Sequence, residues 1–182
     1  CQAKRLYDFT SRCPFDFIIG SIHCVYGIDP YYSDFWKGLT VKEGMEKYFD
    51  AIIESLNVYD NFDVFGHLDY IVRYVLSESE KLYSYHDFKD RLDTILHKII
   101  SMGKGIEINT GSLRRGLNTT NPSEEIIQKY REYGGKIITV GSDAHNASDI
   151  GAGFSAAREI LLRCGFSEYC IFEKRQPVFI KL

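Results

Sequence analysis

Four short apolar runs alternate with amphipathic helical stretches, and this alternation limits the possible folds more than any other feature of the chain. The runs are Phe15–His23 (FDFIIGSIH), Phe62–Tyr70 (FDVFGHLDY), Gly105–Thr110 (GIEINT) and Lys136–Val140 (KIITV). Short β-branched stretches of this kind fill parallel strands covered on both faces. Between them lie helices with start signals. Thr40 and Glu43 fit a capping box ahead of an apolar stripe of Met45, Phe49, Ile52, Ile53 and Leu56. Ser84 to Asp87 can cap a helix carrying Phe88, Leu92, Ile95, Leu96 and Ile99. Asn121-Pro122 offers a cap and a first-turn proline, and Gly134-Gly135 a stop. A last helix is expected from Ser148 to Arg163, closed by Gly165. Two short strands, Tyr169–Glu173 and Pro177–Lys181, are expected to follow.

Strand–helix repeats imply right-handed βα units in a parallel sheet. A doubly wound sheet and a (β/α) barrel both satisfy this. The barrel is preferred, because polar residues cluster at the ends of several runs, where barrels place their sites. Four core strands are too few to close a barrel of about eight strands and ~250 residues. Cys1–Arg12 also reads as the end of a helix with no cap before it, so a stretch upstream is expected. The 182 residues are read as one domain, 1–182, incomplete at its N-terminus.

Composition narrows the function classes. The chain is 45% hydrophobic and 26% charged, with a formal charge of −3. That balance disfavours a nucleic-acid partner but leaves a small anionic ligand open, since local arginines outweigh a small global charge. No apolar run reaches the ~18–20 residues of a membrane span. The five cysteines (Cys1, Cys13, Cys24, Cys164, Cys170) form no CxxC pair and read as reduced thiols in a cytoplasmic protein.

Three of the runs lead into metal-ligand residue types, each with a glycine shortly before. These are Gly20 then His23, Gly66 then His67 (with Asp69 beyond), and Gly141 then Asp143 and His145. Neighbouring parallel strands lie about 4.8 Å apart, so such residues can converge. Residues two apart in an extended segment face one way, which places Asp143 with His145. Imidazole with carboxylate suits Zn, Fe or Mn. A single histidine is more often a structural residue; three in the same context raise the metal reading. His86 and His97 lack such a context and read as solvated helix residues, while Cys24 is expected to pack. Glu54, Asp60 and Asp63 read as surface or loop charges. Arg73, Arg114 and Arg115 follow two of the strand ends, and a guanidinium fork binds phosphate bidentately. Surface ion pairs are the competing reading for each.

DFIIGSIH (Asp16–His23), FGHLDY (Phe65–Tyr70), IEINTGSLRRG (Ile106–Gly116) and GSDAH (Gly141–His145) occur in an order that resembles the histidinol-phosphatase branch of the PHP (polymerase and histidinol phosphatase) superfamily. The resemblance implies a distorted (β/α)7 barrel and up to three divalent transition metals. By motif His23, His67, Asp143 and His145 would be ligands. Arg73, with Arg115 or Arg114, would hold phosphate, and Glu107 and Asn109 would contact the organic part. The implied reaction is hydrolysis of L-histidinol phosphate, a step of histidine biosynthesis. The family's opening HxH motif, a further His and a bridging Glu have no counterpart in these residues, so weak metal retention and little turnover are expected of them alone. Another small phosphate ester or a nucleotide is the alternative substrate, and a non-catalytic binding module the alternative class.

Overall fold

The computed structural model describes residues 2–75 and 83–182, with the Gln2 side chain left aside; Cys1 lies outside the described residues. Helix α1 (Gln2–Thr10) leads to strand β1 (Ile19–Gly20), then to α2 (Ser33–Trp36) and α3 (Val41–Val58). Strand β2 (Val64–Phe65) is followed by a 3-10 turn, Tyr70–Tyr74, and by a second, Tyr85–Phe88, that opens α4 (Lys89–Ser101). Next come β3 (Gly105–Asn109), α5 (Gly111–Arg114), α6 (Glu124–Glu132), β4 (Ile138–Gly141) and α7 (Phe154–Arg163). Strands β5 (Glu168–Glu173) and β6 (Gln176–Lys181) form an antiparallel hairpin.

The first four strands form one parallel sheet in the order β1-β2-β3-β4. Val64, Ile106, Ile108 and Ile138 are fully buried in it, as expected of strands covered on both sides. The helices cover it with the stripes read from sequence. Met45, Phe49, Ile52 and Leu56 of α3 are buried, as are Leu92, Ile95, Leu96 and Ile99 of α4, and all join one core. Ile53 packs against that core only partly buried. The Thr40 box forms as expected: the Glu43 amide donates to Thr40 Oγ1 at 3.2 Å and the Thr40 amide to Glu43 Oε2 at 2.8 Å. Such a cap stabilises a helix by about 1 kcal/mol.

Several expectations need correction. The first two strands shrink to two residues each, and β1 is an edge strand with Ile19 44% exposed rather than buried. Ahead of β1, Asp63 replaces a ladder partner: its Oδ2 accepts the Ile18 amide at 2.8 Å. Beyond β2, His67 turns the chain at φ +31. Asn121-Pro122 does not start α6; Ser123 occupies the N-cap position. The Asn121 backbone instead bridges to Asn109 through both its amide and its carbonyl. The last helix begins at Phe154, not Ser148, because Gly151 and Gly153 adopt left-handed φ of +75 and +78. Cys24 is exposed, not packed.

Asp63 is a buried charge rather than a surface one. Arg175, in the turn between β5 and β6, donates from Nε to both its oxygens at 2.8 and 2.6 Å. The hairpin is thereby bolted to the amino end of β2. No described helix is long and apolar enough to cross a membrane.

Candidate metal and phosphate site

The carboxyl ends of the four parallel strands carry the residues singled out from sequence, on loops that leave the ladder abruptly. His67 follows β2 at φ +31 and Asp143 follows β4 at φ +51. Non-glycine residues in the left-handed region cost of order 1 kcal/mol or more and persist only where surroundings hold them. Two glycines make the approach possible. A side chain at Gly141 would collide with the Glu107 carboxylate, and one at Gly66 would meet Ile19 and Glu107. Glu107 therefore fills the space that these glycines vacate.

His23 and His67 stand together, ring centroids 4.9 Å apart, and both pack on Tyr70 at 4.7 and 4.9 Å. Burial pushes the His67 pKa down to about 4, helped by the neighbouring His23 and Arg73. His23 is lowered too, chiefly by burial and against the pull of Asp29. Both rings are thus held in the neutral form that a metal ligand requires. His67 Nδ1 is buried and has no hydrogen-bond partner among the described residues. A buried polar atom left unpaired costs about 1–3 kcal/mol, so this one calls for a function.

Arg73 lies across the same end. Its side chain is 4% exposed. Nε donates to Asn121 Oδ1 at 2.9 Å, Nη1 to Asp143 Oδ2 at 3.2 Å and Nη2 to Asn109 Oδ1 at 3.0 Å. The guanidinium also covers the Tyr70 ring at 5.1 Å. Arg115 approaches the same Asp143 oxygen at 3.9 Å and is more open to solvent. Arg114 is committed elsewhere: Nη1 and Nη2 donate to the carbonyls of Ser142 and Asp143 at 2.7 and 3.0 Å. It braces the turn that carries Asp143. Glu107 is buried, its pKa raised by burial, and it accepts a weak 3.4 Å bond from Asn109 Nδ2.

The structure therefore brings His23, His67, Arg73, Asn109, Asp143 and Glu107 to one end of the sheet. His145 is placed differently from the expectation. The strand ends at Gly141 and turns at Asp143, so the two side chains do not share one extended face. His145 is exposed, with Nδ1 2.9 Å from the Asp143 carbonyl oxygen. Among the described residues, no three His, Cys, Asp or Glu side chains converge closely enough to hold an ion as they stand. The donor chemistry nonetheless fits a transition metal, as does the unpaired His67 nitrogen.

Sequence reasoning noted Asp69 only as a ligand type beyond His67 and read Asn121 as a helix cap, so it missed that the two are joined. Asp69 is fully buried and its pKa is raised by burial, against hydrogen bonds from Asn121, Tyr83 and the Ser123 amide. His86 and His97 lie outside the site as expected; both are exposed, and His97 stacks on Tyr133 at 4.3 Å.

A parallel α/β sheet gathers imidazoles, carboxylates and arginine at its carboxyl ends, and a chain of this class has a family. Residues 4–111 match the PHP domain, more than half of the chain, and the chain belongs to that family. It is 34% identical over 177 residues to a probable histidinol-phosphatase of Clostridium acetobutylicum, covering 96% of this chain and 66% of that one. It is 30% identical over 170 residues to the histidinol-phosphatase of Lactococcus lactis, covering 93% and 62%. The crystal structure of histidinol phosphate phosphatase from Lactococcus lactis, complexed with zinc, L-histidinol and phosphate, superposes with a TM-score of 0.82 at 26% identity, covering 97% of this chain and 66% of that one. A putative histidinol phosphatase from Listeria monocytogenes shares the fold, with a TM-score of 0.65 at 17% identity over 85% of this chain and 61% of that one. The chain spans about two thirds of the length of these relatives.

Proposed function

We propose that the whole protein is a metal-dependent phosphomonoesterase that hydrolyses L-histidinol phosphate to L-histidinol and phosphate in cytoplasmic histidine biosynthesis. The observation that carries this reading is the buried, unpaired His67 Nδ1, 4.9 Å ring to ring from His23, next to the Arg73–Asp143 pair, in a PHP-domain chain. The zinc, L-histidinol and phosphate in the Lactococcus lactis relative support the same substrate and a divalent metal.

The four parallel strands are read as consecutive staves of a distorted (β/α)7 barrel. Their order follows the sequence without reversal, whereas a doubly wound sheet reverses at a switch point. One continuous core supports reading 1–182 as a single domain.

His23, His67, Asp143 and His145 would hold up to three divalent metals, of the Zn, Fe or Mn kind. When bound, such ions supply a low-pKa water and neutralise charge on phosphoryl oxygens. Arg73 binds the phosphoryl group and stabilises the charge that builds on it. Arg115, more open, is placed to close on the same group. Arg114 fixes the Asp143 turn from behind. Asn109 directs Nη2 of Arg73, and with Glu107 forms the wall nearest the substrate's organic part.

A panel of phosphate monoesters tested on the full-length protein decides the substrate; activity without preference for histidinol phosphate overturns it. Metal analysis decides the centre. Transition metal retained by the wild type and lost in His23→Ala and Asp143→Ala, with the fold kept, is the expected result. Equal metal content in all three overturns the ligand set.

A further inference from the structure

We infer that Asp69, acting through Asn121, is a positioning residue that fixes the direction of the Arg73 guanidinium. The inference rests on the phosphoesterase reading above.

Asp69 is 1% exposed and Asn121 fully buried. Asn121 Nδ2 donates to Asp69 Oδ1 at 2.7 Å, and Asn121 Oδ1 accepts from Arg73 Nε at 2.9 Å. Asp69 Oδ2 accepts the Ser123 amide at 3.0 Å and the Tyr83 hydroxyl at 2.8 Å. Arginine can only donate, and a carboxylate only accepts. The amide between them therefore has a single orientation that satisfies both neighbours. The Asn121 backbone cannot swing away, because its amide and carbonyl pair with Asn109 at 3.0 and 2.8 Å.

With Nε held, the two terminal nitrogens face the strand ends. Each gives one hydrogen to Asn109 or Asp143 and keeps a second for a phosphoryl oxygen. The chain from Asp69 to Arg73 thus sets the angle at which the fork meets phosphate. It does so with two residues that need touch neither substrate nor metal.

The direction of these bonds can be exchanged. In Asp69→Asn the new amide group turns toward Asn121 or toward the Ser123 amide, and in either case a donor meets a donor. In Asn121→Asp two carboxylates meet. The double variant, Asp69→Asn with Asn121→Asp, reverses the bond. The amide now at position 69 donates to the carboxylate now at position 121, which still accepts from Arg73. The carbonyl oxygen at position 69 still accepts from Ser123 and Tyr83. The test uses full-length protein, measuring Ki for inorganic phosphate, KM and kcat for a phosphate monoester, metal content and Tm. Each single variant should raise Ki and KM about tenfold, the weight of one charge-assisted hydrogen bond, with metal content unchanged. The double variant should return to within about threefold of the wild type.

Unchanged Ki in the singles, or a double variant as weak as the product of the singles, overturns the inference. Should Asp69→Asn not fold, Asn121→Ala decides, since it keeps the bonds of Asp69 to Ser123 and Tyr83; unchanged phosphate affinity there overturns it. A wild type that neither binds phosphate nor cleaves phosphate esters overturns the enzyme reading, and the relay with it. A wild type that does both, beside indifferent variants, overturns the relay alone.

Discussion

Arg175 and Arg73 both set a guanidinium against a carboxylate, at opposite ends of the parallel sheet. At the amino end the carboxylate is the buried member: Asp63 is 6% exposed and Arg175 26%. At the carboxyl end the arginine is buried: Arg73 is 4% exposed and Asp143 26%. The first pair is closed. Asp63 takes Arg175 on both oxygens and the Ile18 amide on one. The second cluster is open. It includes an unpaired His67 nitrogen. An ion pair alone therefore does not mark a site. An unsatisfied buried group beside it does; left-handed backbone does not separate the two ends, since Lys174 and Arg175 at the hairpin adopt it as His67 and Asp143 do.

The comparison can be broken by experiment. The largest effect is expected from Arg73→Ala in the full-length protein: kcat/KM for phosphate ester hydrolysis should fall about 10³–10⁴-fold. A loss under tenfold would move Arg73 to the structural side. Asp63→Ala should cost about 3 kcal/mol of stability, because it leaves the Ile18 amide without its acceptor and Arg175 with Asn61 as its remaining side-chain partner. Urea denaturation measures this, and kcat of the folded fraction should not change. A kcat effect larger than the stability effect would erase the distinction between the ends.

Acid should separate the ends as well. The folded His67 pKa of about 4 lies below its unfolded value of 6.5, so the unfolded state binds more protons between them. Stability of chelator-treated protein should therefore be full above about pH 6.5 and fall, by up to about 3 kcal/mol, as pH drops toward 4. His67→Gln should flatten that slope in a pH series of urea midpoints, and an unchanged slope would reassign it to other groups. Arg115→Ala should raise KM about tenfold with little change in stability, as its side chain is half exposed. The smallest effect belongs to His86→Gln, on an exposed turn: stability should stay within about 0.5 kcal/mol, and activity should hold.

β3 and β4 were legible because their β-branched residues fall within the ladder itself: Ile106 and Ile108 in β3 pair with Ile138 and Val140 in β4. The extents of β1 and β2 were not legible: their apolar runs continue past the ladder into the loops that build the site, and periodicity does not register where pairing stops. His23, His67 and Asp143 could be found because a ligand type at the end of an apolar run is a local pattern. Asn121 was misread for an equally local reason. Asn-Pro ahead of glutamates has the form of a helix start, and Ser123 two residues on supplies the actual cap position. The signal that favoured Ser123 was the pair Glu124 and Glu125 directly behind it, which suits a first turn. Asp63 and Arg175 gave no signal, since two ordinary residues far apart in sequence reveal their pairing only when the chain folds.

That last separation has a consequence for synthesis. Asp63 and Arg175 are 112 positions apart, so a ribosome adding about 5–20 residues per second makes the carboxylate several seconds before its cation. Until then the amino end of β2 carries an acid that is costly to bury. The hairpin turn acts as a latch that can close only once the chain has grown past Arg175.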